Sequence, residues 1–301
     1  MGSNYLQGVT DGYGLPSTLA PGLAQLASTI VDSYLKRPEG IIYIADNNGN
    51  PCAMAAATPS FTYKLTGAIA PGANVVVNVL PANIRPDFVG EVLVIDNGTP
   101  NIVEACVVVA TSGDNQITLG AVQFNHASGA KADVGMVITE DRNCPSKRSI
   151  VRVARWPIVS VLSLLGRYAY GRRSDQVGGL YQEMNLLASV QTFGGPPQWI
   201  PIAVAQASWS DATGEIWVPA GMLMAYYSDV RIKYVAGYPS VPDPVVRATA
   251  KIASDLNSMS GIAGQIKMFA AGDTRIQKFS ASTIDTNVKD LLEPYRARTT
   301  F

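Results

Sequence analysis

Glu91-Val92-Leu93-Val94-Ile95-Asp96-Asn97-Gly98-Thr99-Pro100 is the stretch from which the fold is read. Four consecutive branched apolar residues run into a cluster of Asp, Asn, Gly and Pro. A second apolar run, Ile102 to Ala110, follows at once. Two β-rich runs joined by Asn-Gly punctuation predict a hairpin over 91–110. The pattern repeats outward on both sides. Val75-Val76-Val77-Asn78-Val79-Leu80 lies upstream, and Ser112-Gly113-Asp114-Asn115 turns the chain into Gln116-Ile117-Thr118-Leu119 downstream. Val134 to Thr139 reads as a last strand. Short strands at a regular spacing with Gly, Asn and Pro between them predict a small β-barrel or sandwich of roughly 100 residues over 41–145.

Both flanks of this region change periodicity. Upstream, Leu19, Leu23, Leu26, Ala27, Ile30, Val31 and Tyr34 recur three and four apart, predicting a helix over 17–37 capped by Ser17 or Thr18. Lys36 and Arg37 fall in its last turn, and Pro38 with Gly40 stops it. Downstream, 150–153, 158–165, 184–190, 199–209, 215–218 and 229–235 read as a β meander. Pro242-Asp243-Pro244 then opens a helix with Val245, Val246, Thr249, Ile252, Ala253 and Leu256 on one face, predicted to run over 243–257. A short helix over 288–295 is broken by Pro294. The expected class is α+β: a small helical bundle with an antiparallel meander, plus an inserted all-β barrel or sandwich. The two long helices are expected to share one core with the meander.

Composition narrows the chemistry. Of 301 residues, 47% are apolar and only 15% charged, with 23 basic and 23 acidic side chains. So low a charge content in a foldable chain points to a surface largely covered by partners. The balance hides an asymmetry. Residues 39–140 carry nine acidic and three basic side chains, and residues 141–301 carry twelve and eighteen. Arg142, Lys147, Arg148, Arg152, Arg155, Arg167, Arg172 and Arg173 follow one another with no acid between them. Such a run either pairs with acids elsewhere in the chain or faces phosphates or an acidic partner. No apolar run approaches the roughly 18 residues of a membrane helix. Met1 to Asp11 shows no signal-peptide pattern, and three scattered cysteines fit a reducing compartment.

One histidine leaves little room for catalysis. His126 would have to serve any Ser-His-Asp or Cys-His arrangement, and it reads as a loop residue bonding its own turn. Asn97-Gly98-Thr99 matches a glycan acceptor and reads as a turn. Gly194-Gly195-Pro196-Pro197 lacks the lysine of a phosphate loop, and Asp141, Asp175 and Glu183 lack a metal-loop spacing. No catalytic residue, metal or cofactor is expected. Arg172-Arg173 beside Tyr168 and Tyr170 could stack on and pair with nucleic acid.

Four segments together resemble the phage head–tail connector (adaptor) family. They are Ile30-Val31-Asp32-Ser33-Tyr34-Leu35-Lys36-Arg37-Pro38; Arg155-Trp156-Pro157-Ile158-Val159-Ser160-Val161; Tyr234-Val235-Ala236-Gly237-Tyr238-Pro239, followed by Pro242 and Pro244; and Leu291-Leu292-Glu293-Pro294-Tyr295-Arg296. The resemblance implies a connector core made of an N-terminal arm and helix (1–40) and of residues 146–301, interrupted by an inserted β domain (41–145). It also implies a structural, non-enzymatic virion protein at the neck, assembled in the host cytoplasm. Copies would form a ring of about twelve subunits. The ring would sit between the portal and a tail terminator or next neck protein, with packaged DNA passing through it and no membrane involved. A decoration or tail-completion protein, with the β domain as its binding module, is the alternative. Within the ring, Arg167, Arg172 and Arg173 are expected to face the channel. Beyond Pro294 the tail offers Tyr295 and Phe301 as apolar anchors and Arg296 and Arg298 as donors to carboxylates, the expected portal-docking set.

Overall fold

The computed structural model describes residues 4–6, 13–15, 19, 22–43, 62–84, 88–96, 99, 101–144, 149–168, 198–221, 227–260, 268–271, 274–277 and 284–298. The chain divides into two compact units: Met1–Ser60 with Tyr238–Ala297, and Phe61–Gly237 with Arg298–Phe301.

The second unit begins with a closed barrel. Strands β1 (Thr62–Leu65), β2 (Gly72–Leu80), β3 (Val92–Ile95), β4 (Glu104–Ser112), β5 (Gln116–Val122) and β6 (Lys131–Gly135) are ordered β1-β2-β5-β4-β3-β6 and close between β6 and β1. The hairpin expected over 91–110 is β3–β4, with Val92 opposite Val107 and Ile95 opposite Glu104. All four residues of β3 are buried, because β4 and β6 flank it. Closure leaves no unpaired strand edge in the barrel. Tyr63 and Phe88, both almost fully buried, meet edge to face at 5.8 Å between ring centroids. Burying one such ring contributes about 2 kcal/mol or more.

Val134 to Thr139 is not one strand. β6 ends at Gly135, and β7 (Ile138–Asn143) starts a different sheet. That sheet is ordered β10-β9-β13-β7, with β9 (Ile158–Arg167), β10 (Ile200–Ile202) and β13 (Asp229–Ala236). A second sheet has β11 (Ser208–Ser210), β12 (Glu215–Trp217) and β8 (Ile150–Arg152). Val151, Val153, Ile216 and Val218 share one core with Ile158, Leu164, Val230, Ile232 and Tyr234. A buried carboxylate stitches this layer. Glu140 of β7 accepts from the Tyr234 hydroxyl at 2.6 Å, the Ala154 amide at 3.0 Å and the Arg142 guanidinium. The stretch 199–209, expected as one strand, is broken by a 3₁₀ turn at Val204–Gln206.

The other unit holds α1 (Leu23–Leu35), α2 (Asp243–Ser260) and α3 (Thr286–Leu292), with a hairpin of β14 (Met268–Ala271) and β15 (Thr274–Gln277). Among the described residues α1 starts at Leu23, behind Gly22 at φ 82°, later than the expected start at 17. Ser17 and Thr18 lie outside the described residues. A left-handed glycine cannot propagate a helix, so the first turn begins after it. At the other end Lys36 is already past the last turn at φ 55°, and the Arg37 amide bonds back to the Asp32 carbonyl at 3.0 Å. This is a left-handed helix stop. Tyr5, fully buried, is held against α1: its amide donates to Ser28 Oγ at 3.0 Å and its hydroxyl to Asp32.

The expected helical bundle is therefore corrected. The chain is predominantly β, with three α-helices among the described residues and no helical bundle. The apolar core around Val151, Ile216 and Tyr234 is built mostly from strands. The meander falls in the same compact unit as the barrel, not with α1 and α2.

Candidate functional site

The four described arginines of the basic run each lie within 4 Å of a carboxylate. Arg142 bonds Glu140, and Arg155 lies 3.8 Å from the same carboxylate. Arg152 pairs with Glu215, directly opposite it across β8 and β12. Arg167 donates to Asp229 at 2.9 Å, again directly opposite, on β9 and β13. Facing residues on adjacent strands lie within side-chain reach, so register alone forms these pairs. Lys147, Arg148, Arg172 and Arg173 lie outside the described residues. Of the three arginines expected to face a channel, Arg167 is thus engaged by a carboxylate only 5% exposed.

Around Arg167 the sheet surface carries a second arginine and a tryptophan absent from the sequence reading. The guanidinium of Arg167 lies 4.5 Å from the Trp199 ring centroid, and that of Arg231 lies 4.6 Å from it. Arg231 also grips Asp141 with two hydrogen bonds of 2.7 and 2.8 Å, which raise its already high pKa. This aromatic–cation surface is the kind that dominates protein interfaces. Its only sequence signal was Arg231 on an exposed strand position, two residues from Asp229.

The expected portal-docking residues are engaged within their own units. Tyr295 ends a 3₁₀ turn (Glu293–Tyr295) and meets Tyr238 edge to face at 5.6 Å. Arg296 lies 5.2 Å from the Tyr34 ring and 3.6 Å from Glu293, and the Tyr34 hydroxyl donates to Glu293 at 2.9 Å. Burial first, and that bond second, push the Tyr34 hydroxyl pKa up. The Ala297 amide donates to the Leu35 carbonyl at 2.8 Å. In the other unit Arg298 lies 4.5 Å from the Trp156 ring, and its amide donates to the Ala154 carbonyl at 3.1 Å. Phe301 lies outside the described residues. Within the first unit, Tyr295 to Ala297 thus runs as a strap seated on Tyr34, Leu35 and Tyr238.

His126 does not bond its own turn. Its Nδ1 lies 2.6 Å from Asp96 at the end of β3, and its Nε2 lies 2.7 Å from Glu104 in β4. A carboxylate oxygen thus faces each ring nitrogen. Glu104 also accepts the Gln123 amide at 2.8 Å and the Phe124 amide at 3.1 Å. The imidazole is fully buried, and the Glu104 side chain is 5% exposed. Nearby Cys106 is buried, and desolvation, reinforced by Glu104, drives its thiol pKa far up, so the sulfur is held as an unreactive thiol. The trio lacks an approachable nucleophile and acts as a clasp between the end of β3, the start of β4 and the loop after β5. Its signal in the sequence was the presence of acids at both ends of the β3–β4 turn.

Among the described residues no cluster of His, Cys, Asp and Glu could hold a metal ion, and no helix is long and apolar enough to cross a membrane. No protein-family model matches the sequence, and no curated protein matches it.

Proposed function

We propose that the chain is a structural virion protein, an adaptor subunit that assembles as a ring between portal and tail and extends the DNA channel. The observation that carries this reading is how the four connector-like segments meet. In one unit, Tyr34 and Leu35 of the first segment contact Glu293 and Arg296 of the fourth and the adjoining Ala297, and Tyr238 of the third packs on Tyr295 of the fourth. In the other unit, the Gly237 amide of the third segment donates to the Pro157 carbonyl of the second at 2.9 Å, and the Arg155 amide approaches the Tyr234 hydroxyl at 3.4 Å. Residues far apart in sequence that carry one resemblance are thus each other's neighbours, as a shared ancestral framework requires.

In this reading Phe301 with the exposed part of Arg296 reaches the portal. Arg172 and Arg173 carry the channel role, while Arg167 braces the sheet through Asp229. The barrel is the departure from the compact connector plan. Negative-stain imaging and mass photometry of the purified chain test the proposal. Closed rings of about twelve copies are expected. A chain that stays monomeric or stops at trimers at all concentrations would overturn it.

A further inference from the structure

One side chain ahead of α1 is received by a seat that other bonds hold in place. Tyr5 is fully buried, and Leu6 beside it is nearly so. Ser28 Oγ donates to the Ala24 carbonyl at 2.8 Å, one turn back in α1, which turns its oxygen to accept the Tyr5 amide at 3.0 Å. Asp32 stands one turn further along the same helix and accepts from the Tyr5 hydroxyl. The Ile41 amide completes the seat by donating to that hydroxyl at 3.2 Å. Ile41 is itself fixed by the Tyr238 amide, which donates to its carbonyl at 3.0 Å. All of these residues belong to one compact unit.

The Tyr5 hydroxyl thus donates to Asp32 and accepts from Ile41 at once. A phenol can do both, whereas an indole only donates and a phenyl ring does neither. Phenylalanine in the seat would leave a buried carboxylate and a buried amide without these partners. The seat therefore reads tyrosine. The groups that read it are set by α1 and by the Ile41–Tyr238 pairing, so the site is preformed and does not need the arm to build it. The arm has one further tie, from the Tyr13 hydroxyl to Asp243 at 2.6 Å, and it is exposed, where water competes. From Tyr5 to Leu23 the contour of the chain reaches up to roughly 60 Å when extended, far enough to serve a neighbouring copy. We infer that the Ser28–Asp32 face of α1, closed by Ile41, is an exchangeable binding site for a segment carrying tyrosine followed by leucine. The chain's own arm occupies it here, and the same arm of a second copy makes the same bonds. Exchange is then set by how closely copies are gathered.

The inference goes beyond the adaptor reading and does not depend on it. Tyr5→Ala in the whole chain removes the anchor of the resident arm and opens the seat. A fluorescent peptide of residues 2–9, titrated to about 1 mM and followed by anisotropy, tests it. Saturable binding to the variant is expected, with circular dichroism like that of wild type. Wild type, whose seat is already filled, should take the peptide roughly tenfold more weakly or worse. The same peptide carrying Tyr5→Phe should bind the variant about tenfold more weakly than the tyrosine peptide. A folded Tyr5→Ala chain that does not bind overturns the inference. So does equal binding of the two peptides, or equal binding to variant and wild type. Should Tyr5→Ala fail to fold, hydrogen exchange of the wild-type chain decides. Residues 4–6 should lose protection well before 27–35, as a ligand leaving its seat does. Loss of both together would make Tyr5 part of the core and overturn the exchange.

Discussion

Replacing His126 by phenylalanine keeps the ring and removes both nitrogens from the barrel clasp. Asp96 Oδ2 and Glu104 Oε1, now 2.6 and 2.7 Å from the ring nitrogens, would each face hydrocarbon. Leaving a buried hydrogen-bonding group without its partner costs roughly 1–3 kcal/mol, and two are left here. Two features pull the value to the lower end. Glu104 keeps the Gln123 and Phe124 amides, and Asp96, with 16% of its side chain exposed, can take up water. About 3 kcal/mol is expected, which for a unit of this size lowers the melting temperature by on the order of 6–12 °C. The assay must see the barrel itself. All four tryptophans (Trp156, Trp199, Trp209 and Trp217) lie outside it, so indole fluorescence does not report on it. Thermal unfolding by far-ultraviolet circular dichroism measures the loss, and hydrogen exchange of peptides from β3 to β5 places it. A variant that melts within about 2 °C of wild type, with β4 amides equally protected, would refute the clasp as a source of stability.

Gly166 of β9 lies against the Tyr227 ring, and a Cβ there would fall 2.5 Å from ring carbons. Gly166→Ala should therefore destabilise the second unit by about 1–3 kcal/mol in urea titration; a neutral result would mean that Tyr227 is free to move aside. Asp285 caps α3 by accepting the Val288 amide at 2.7 Å, and its pKa is lowered first by Lys251 and then by that amide. A depressed carboxylate stabilises above its ordinary value and loses this as pH falls through its folded value, so protection of 286–292 should decline below about pH 4. Asp285→Asn retains a capping oxygen but not the charge, and its α3 exchange rates should be flatter across that acid range. An equally steep acid dependence in the variant would assign the effect to another group.

What was legible in the sequence was the part fixed by neighbours in sequence. The β3–β4 hairpin was visible in Glu91 to Ala110, because its apolar runs and turn are contiguous. The helix from Asp243 was marked by prolines that cannot sit further inside it. Failures came where spatial partners decide. Val134 to Thr139 looks like one strand because local β-propensity is uninterrupted, yet Gly135 pairs with Val92 in the barrel and Ile138 pairs with Tyr234 in the next sheet. Thr62–Leu65 is too short and mixed to announce a strand, and it becomes one by closing the barrel between β2 and β6. The helical bundle was inferred from two amphipathic spans without knowing where the meander would pack. For the site, the basic run was visible but its acids were not. Asp229, Glu215 and Glu140 face those arginines only through sheet register or through tertiary folding. His126 was misassigned for the same reason, since its partners lie 30 and 22 residues away.

The barrel is one uninterrupted stretch of chain, whereas the helical unit is assembled from the two ends, with Tyr34 bonding a residue 259 positions later. During synthesis the barrel can close as soon as β6 has emerged, long before the second half exists. The helical unit has no such option. α1 is made before the barrel, and the residues that cover it are made after the meander. An emerging chain therefore completes the barrel strands while the covered face of α1 still lacks its partners. That face stays open to water, or to whatever else holds it, until Tyr238 to Ala297 has been made.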